Sequence, residues 1–356
     1  MFNWIKRLDG DYIDLSSSGI LGPTTLSELD LDPTIAEIGG NNFYGYHPSL
    51  SAIGQLFNVS KDSIVITSGA SMANYLAMTA MMGKGDPCII ETPVYEPLLS
   101  VVRHVTQAEP VRIFREADSG YSLNNNPEIF LRHKPKLTVL TNPHNPTGYV
   151  DPLEVFLEIA EIVSEWDGWL LIDEVFLPFI SRFRELSLAG KHPNILVTGS
   201  LTKVWGLGGL RYGWLIGDAN VMRQIELNLD YMSVNQPFIV EWIGSRLLES
   251  PHSDRLLIHA RERAAQNLKI VEEFARSFNF LDFYKPSCGI SALFRFKDGK
   301  DSYHFCSLLH DRYNTIVVPG RYFEVDDGFR LSFGCEQSKL LAGLQNIENA
   351  LTSNLG

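Results

Sequence analysis

The chain has 356 residues, 45% of them hydrophobic and 20% charged, with a formal net charge of −12. That length suggests two domains or one large one, with apolar material enough for an ample core. An acidic surplus disfavours nucleic acid and anionic membranes as partners, so a small-molecule or protein partner is expected, and any anionic ligand must be met by a local basic site.

The opening residues, MFNWIKRLDGDYID, lack the apolar core of a secretory signal. No run approaches the ~20 apolar residues of a membrane helix. Cys88, Cys288, Cys306 and Cys335 form no CxxC pair and keep no metal-ligand spacing with histidine. They read as free thiols, so a soluble, cytoplasmic protein without a metal is expected.

From about Ser60 to Asp218, short β-rich runs alternate with helical patterns. Strands are predicted at 63–67 (SIVIT), 87–91 (PCIIE), 137–141 (LTVLT), 169–172 (WLLI), 194–198 (NILVT) and 212–217 (YGWLIG). Their nearly continuous apolar character is that of strands buried on both faces, as in a largely parallel sheet. Helices are expected between them. One follows NPHNPTG, with Asp151 as N-cap and Pro152 at its first position. The alternation predicts an α/β domain over 41–245. After Val221 a long helix is expected to about Glu249 and another over 253–278. GISALFRF, a helical SYHFCSLLHDRY, TIVVPG, FRLSFG and a final helix from about Ser338 then predict a smaller α+β domain, formed by 246–356 and completed by 1–40.

Ligands on open α/β sheets bind beyond the carboxyl ends of the strands. Five strand ends carry chemistry here: Ser68-Gly69-Ala70-Ser71 opening a helix, Tyr95, Asn145 within NPHNPTG, Asp173 followed by Glu174, and Ser200, Lys203 and Arg211 within GSLTKVWGLGGLR. Taken singly, each has an ordinary structural explanation. WLLIDE lacks a companion GxxxxGK[ST], which argues against ATP hydrolysis. GLGGL lacks the GxGxxG spacing of a dinucleotide fingerprint. Asp173 and Glu174, adjacent on a strand, point to opposite faces and so do not share a metal.

In order and spacing, NPHNPTG, DEVF and SLTKVWGLGGLR resemble the class I/II aminotransferases, the fold-type-I pyridoxal-phosphate (PLP) enzymes, over about Tyr44 to Arg330. The resemblance implies a mostly parallel sheet with flanking helices and PLP as cofactor. It implies Lys203 as the Schiff-base lysine and Asp173 as the carboxylate paired with the pyridine nitrogen, which keeps the ring electron-poor. By the same resemblance Asn145 meets the cofactor's O3′ and substrate, Tyr95 stacks on the ring, and Gly69, Ala70, Ser71, Ser200 and Arg211 hold the phosphate. Tyr44 would reach the phosphate of a neighbouring subunit in a homodimer with a shared active site, with Tyr46 as a rival for that role. Arg330 would grip the substrate α-carboxylate in a bidentate fork. The segment SSSGILG (16–22), including Gly19, would face the substrate, with Ile20 and Leu21 suggesting an apolar wall.

The implied reaction moves an amino group from an L-amino acid to a 2-oxo acid. Other fold-type-I chemistry (decarboxylation, β-elimination or oxidation of an amino acid) is the alternative, and a non-catalytic sensing relative a further one. One departure bears on that choice: Phe176 stands where many relatives have a tyrosine that donates to O3′. A hydrogen bond to a charged oxygen contributes roughly 1.5–3 kcal/mol, so without it the lysine–cofactor imine should hold its proton about one to two pKa units higher. Restoring the phenol with Phe176→Tyr is expected to lower that transition by the same about one to two units. A pH titration of the cofactor absorbance in both proteins checks this, and no downward shift in the variant would sink the argument.

Overall fold

In the computed structural model, which describes residues 1–124 and 126–353, all six predicted apolar runs are strands of one seven-stranded sheet. After a short N-terminal β1 (Ile13–Asp14), the seven strands of the sheet are β2 (Ile64–Thr67), β3 (Cys88–Thr92), β4 (Val111–Phe114), β5 (Leu137–Thr141), β6 (Trp169–Asp173), β7 (Ile195–Ser200) and β8 (Gly213–Ile216). Their order is β2-β8-β7-β6-β5-β3-β4. The run from β7 to β4 is parallel throughout, and β8 is antiparallel to both of its neighbours.

Alternate residues explain the apolar runs. Val65, Ile90, Val139, Leu171, Leu196 and Leu215 pack on one face against helices Ala70–Met81, Glu96–Thr106 and Ala219–Asp230. Ile66, Ile89, Leu140, Ile172, Val197 and Trp214 belong to the core on the other face, with helix Leu153–Ser164. Both faces are covered, so neither tolerates a polar alternation. The unpredicted β4 is the edge strand, where only Ile113 is buried, and its VRIF carries no such signal.

A smaller antiparallel sheet of order β12-β13-β10-β9 is built from β9 (Leu281–Tyr284), β10 (Ser291–Phe296), β12 (Val318–Pro319) and β13 (Gly328–Ser332). Between α-helix Ser302–Tyr313 and β12 lies β11 (Thr315–Ile316), which pairs in parallel with β1. The N-terminal segment thus joins the C-terminal part of the chain.

Three local expectations fail, each for a physical reason. TIVVPG is two strands in two sheets rather than one. The long helix after Val221 is broken into Ala219–Asp230 and Phe238–Glu249. Pro237 caps the second piece, and a proline disfavours helical backbone at the residue before it. Nor is Asp151 an N-cap. Pro152 holds that position, and the Asp151 carboxylate is drawn into the core instead.

There Arg115, wholly buried, donates from Nε to Glu91 (2.7 Å) and from Nη1 to Asp151 (2.6 Å) and to the Tyr121 carbonyl (2.9 Å). Asp151 also accepts from the Leu123 amide at 2.8 Å. Arg115→Met would strand two buried carboxylates, and removing one partner of a buried ion pair costs about 3–5 kcal/mol. Urea unfolding should report a loss of that size. A loss below about 1 kcal/mol, the range of an exposed pair, would contradict this reading.

Candidate active site

The C-terminal ends of β2, β3, β5, β6 and β7 open on a cavity of about 400 Å³. Ala70, Ser71, Tyr95, Asn145, Asp173, Phe176, Ser200, Lys203 and Arg211 all line it. The parallel register sets Asp173 between Thr141 and Thr198 on the adjacent strands. Glu174 turns to the opposite face, where its carboxylate accepts from Ser187 Oγ (2.5 Å) and the Leu188 amide (2.8 Å), and burial pushes its pKa up to about 7.

Asp173 is held by two donors. Asn74 Nδ2 reaches Oδ2 at 2.8 Å, and the Val175 amide reaches Oδ1 at 3.1 Å. Asn74 Oδ1 accepts from Thr198 Oγ1 at 2.9 Å, which fixes the amide orientation. Burial raises the Asp173 pKa, while Asn74, the Val175 amide and the Lys203 charge oppose the rise. No cation among the described residues forms an ion pair with it, so the carboxylate suits a cationic N–H brought in by a ligand.

Lys203 Nζ donates to Ser18 Oγ at 2.6 Å, and the Phe176 ring lies 5.8 Å from it. Burial, reinforced by Arg330 and Arg211 and opposed by Asp173, pushes its pKa down to about 8. A substantial neutral fraction near physiological pH makes the amine a nucleophile.

At the other side of the cavity, Gly69 caps helix Ala70–Met81 with φ +81°. A Cβ there would come within 2.7 Å of Arg211 Nη2, the end of a flexible side chain, so it is the backbone conformation that requires glycine. The first amides of that helix lack intrahelical acceptors, Ser200 Oγ is buried alongside, and Arg211 has no carboxylate partner among the described residues. This is a donor set for a dianion. Together with an unpaired carboxylate and a neutralisable lysine, it fits the phosphate, ring nitrogen and aldehyde of pyridoxal phosphate.

Arg330 lies just outside the cavity lining, 1% exposed. Its Nη1 donates to Asn145 Oδ1 (3.2 Å) and its Nη2 to the Ser16 carbonyl (2.8 Å), while Nε, buried, has no partner among the described residues. Burial pushes its pKa down to about 10. A buried guanidinium with a spare N–H and no carboxylate in contact calls for an anion.

Other residues of the expected set do not line this chain's own cavity. Tyr44, exposed and at φ 56°, donates to Asp230 at 3.4 Å, away from this chain's own cavity. Tyr46 packs edge-on against Phe238. Gly19 does not line the cavity, but a Cβ there would sit 3.2 Å from the Thr202 carbonyl, so it lets the N-terminal segment lie close to the lysine loop. The apolar wall of Ile20 and Leu21 is not formed: Ile20 is in the core, and Leu21 is 61% exposed.

Sequence reading missed Asn74, Thr141 and Thr202, which line the cavity, and named Ser18, also in the lining, only as part of the substrate-facing segment 16–22 with no role of its own. Asn74 left a trace, as a polar residue on an apolar helix face in SMANYLAM. The role of Ser18 left none. If Lys203 is as depressed as its surroundings dictate, acylation of the cofactor-stripped chain should label it with a midpoint near pH 8. A midpoint at the ordinary lysine value of about 10.4 would contradict that.

Residues 11–347 match the family model for aminotransferase class I and II. The chain is 28% identical to capreomycidine synthase of Streptomyces vinaceus, over 95% of this chain and 89% of that protein. With an aspartate aminotransferase of Pyrococcus horikoshii it shares 24% identity, covering 83% and 76% of the two chains. In fold it resembles a PLP-dependent aminotransferase from Streptococcus suis (TM-score 0.86, 22% identity, 99% and 96% covered) and the PLP-dependent cyclase OrfR (0.88, 22%, 99% and 96%).

Proposed function

Since the chain belongs to the class I and II aminotransferase family, a PLP-dependent group of enzymes, we propose that its cavity transfers an amino group from an L-amino acid to a 2-oxo acid with Lys203, Asp173 and Arg330 as the working charges. One observation carries this reading. A depressed lysine and a buried carboxylate line one cavity and a buried guanidinium lies just beyond its lining, none of them ion-paired among the described residues. Bound PLP supplies the electron sink and the carrier for the amino group.

The protein's own residues then divide the work. Arg330 receives the substrate carboxylate and, through Asn145, fixes the substrate relative to the ring. Lys203 takes the proton from the α-carbon and returns it, since its amine is neutral in an appreciable fraction of molecules. Asp173, steadied by Asn74 and the Val175 amide, keeps a proton on the pyridine nitrogen. Ser200, Arg211 and the helix start hold the phosphate.

A homodimer is part of the proposal. Ile38 (86% exposed), Phe43 (69%), Tyr231 (90%) and Val234 (67%) are bared on two segments that Asn42 ties together by donating to the Gln236 carbonyl at 2.7 Å. An apolar patch of this kind supports burial against a second copy, with Tyr44 reaching the neighbour's phosphate. The four free cysteines support a reducing, cytoplasmic setting. Pairing of β1 with β11 supports grouping 1–40 with 246–356, apart from 41–245, with the boundary falling within helix Phe238–Glu249.

A second reading, elimination or ring closure on an amino acid, is favoured by the capreomycidine synthase and cyclase relatives together with Phe176. A panel of amino donors, followed by cofactor absorbance and product analysis, separates the two. Amino transfer yields a 2-oxo acid in step with an added acceptor. Product formed without an acceptor, with ammonia released, would overturn it. The shared site is tested by co-expressing Lys203→Ala with Tyr44→Ala. Both homodimers should be impaired, and the hybrid should regain activity through its one intact site. Hybrids no better than the parents would argue against Tyr44 acting across the interface.

A further inference from the structure

The segment 14–22 is anchored on both sides of Ser18. Upstream, Asp14 Oδ1 accepts from the Ser16 amide (2.8 Å), Ser16 Oγ (2.7 Å) and the Ser17 amide (3.2 Å), and the Leu15 amide bonds the Ile316 carbonyl (3.0 Å). The Ser16 carbonyl holds Arg330. Downstream, the Ile20 amide donates to the Lys203 carbonyl (2.9 Å), and Gly22 meets Gly206 so closely that a Cβ on Gly22 would lie 2.7 Å from the Gly206 Cα. Between these fixed points Ser18 Oγ lies 2.6 Å from Lys203 Nζ. Among the described residues no other hydrogen-bond partner of that nitrogen is seen. The Phe176 ring offers none, and Asp173 is committed to Asn74 and the Val175 amide.

We propose that Ser18 is a further catalytic residue, whose hydroxyl accepts one N–H of the free Lys203 amine and so aims the nitrogen lone pair at the substrate α-carbon. The inference rests on the reading of Lys203 as the proton carrier. In the step concerned, the α-carbon–hydrogen bond breaks and an N–H bond forms on Nζ. Bound PLP would supply the sink for the electron pair left on carbon. Ser18 keeps its own proton throughout. Its bond to nitrogen tightens as the amine becomes an ammonium, because hydrogen bonds to a charged donor are about twice as strong as neutral ones. The gain therefore falls on the proton-accepting state and not on ground-state binding.

The test compares wild type, Ser18→Ala and Ser18→Thr. With the loaded enzyme, Ser18→Ala should lose roughly 10- to 100-fold in kcat, with KM for the amino acid little changed and a larger isotope effect from α-deuterated substrate. Ser18→Thr should restore most of the rate. On the cofactor-stripped full chain, acylation of Lys203 should shift its midpoint down by roughly one pH unit in Ser18→Ala. Asp173, Arg330 and Arg211, the charged groups acting on the amine, are the same in both proteins. An unchanged midpoint with kcat within about twofold of wild type, or a loss confined to KM as a displaced Ser16–Arg330 contact would give, overturns the proposal. Labelling involves no substrate, so it fails independently of the amino-transfer reading, which falls instead to product formation without an acceptor in wild type.

Discussion

Asp173 and Arg330, buried, and Lys203, half-buried, are charges gathered about one cavity without an ion-pair partner among the described residues, and the architecture serves to hold them there. Burying a charge without a partner is costly, and folded chains usually avoid it. Here neutral groups bear the load. Asparagine and a backbone amide hold the carboxylate, a serine the lysine, a carbonyl and a side-chain amide the arginine. Such partners orient a charge without neutralising it, and each charge stays available to a ligand of opposite sign.

Strands and their terminal residues supply half of this arrangement. β5, β6 and β7 end side by side, so Thr141, Asp173 and Thr198 are neighbours by register alone. The buried Arg115 set steadies the next layer. Thr141 donates to Glu91 at 2.6 Å while its Oγ1 accepts from the Asn145 amide at 3.2 Å, so the loop that presents Asn145 is tied to a charge network in the core. Asp151 and Asn142 exchange backbone and side-chain bonds at the other end of the same loop. What reads as a turn-rich stretch is a braced one.

This explains which features were legible in the sequence. The central sheet was readable because double-sided burial leaves continuous apolar runs, and the site residues at strand ends followed from the sheet. Edge strand β4 and the two pieces of TIVVPG were not, because their burial is partial or divided between sheets. Asp151 looked like a cap because capping is local, whereas its real partner Arg115 lies 36 residues away. Asn74 and Ser18 act on Asp173 and Lys203 across 99 and 185 residues, and no short-range pattern encodes such a meeting. Phe176 was legible as a departure. Its position beside Lys203 and the serine on the same nitrogen became visible only in three dimensions.

Pairing of β1 with β11 joins residues 13–14 to 315–316, and Arg330 reaches back to Ser16. On the ribosome the N-terminal strand is among the first segments made, yet its partner emerges only when most of the chain has been translated. A chain terminated before residue 315 therefore lacks both the partner of β1 and Arg330, and the substrate side of its cavity stays incomplete. Contacts of such long range are closed late and at an entropic cost, which favours docking of the N-terminal segment onto a framework already folded.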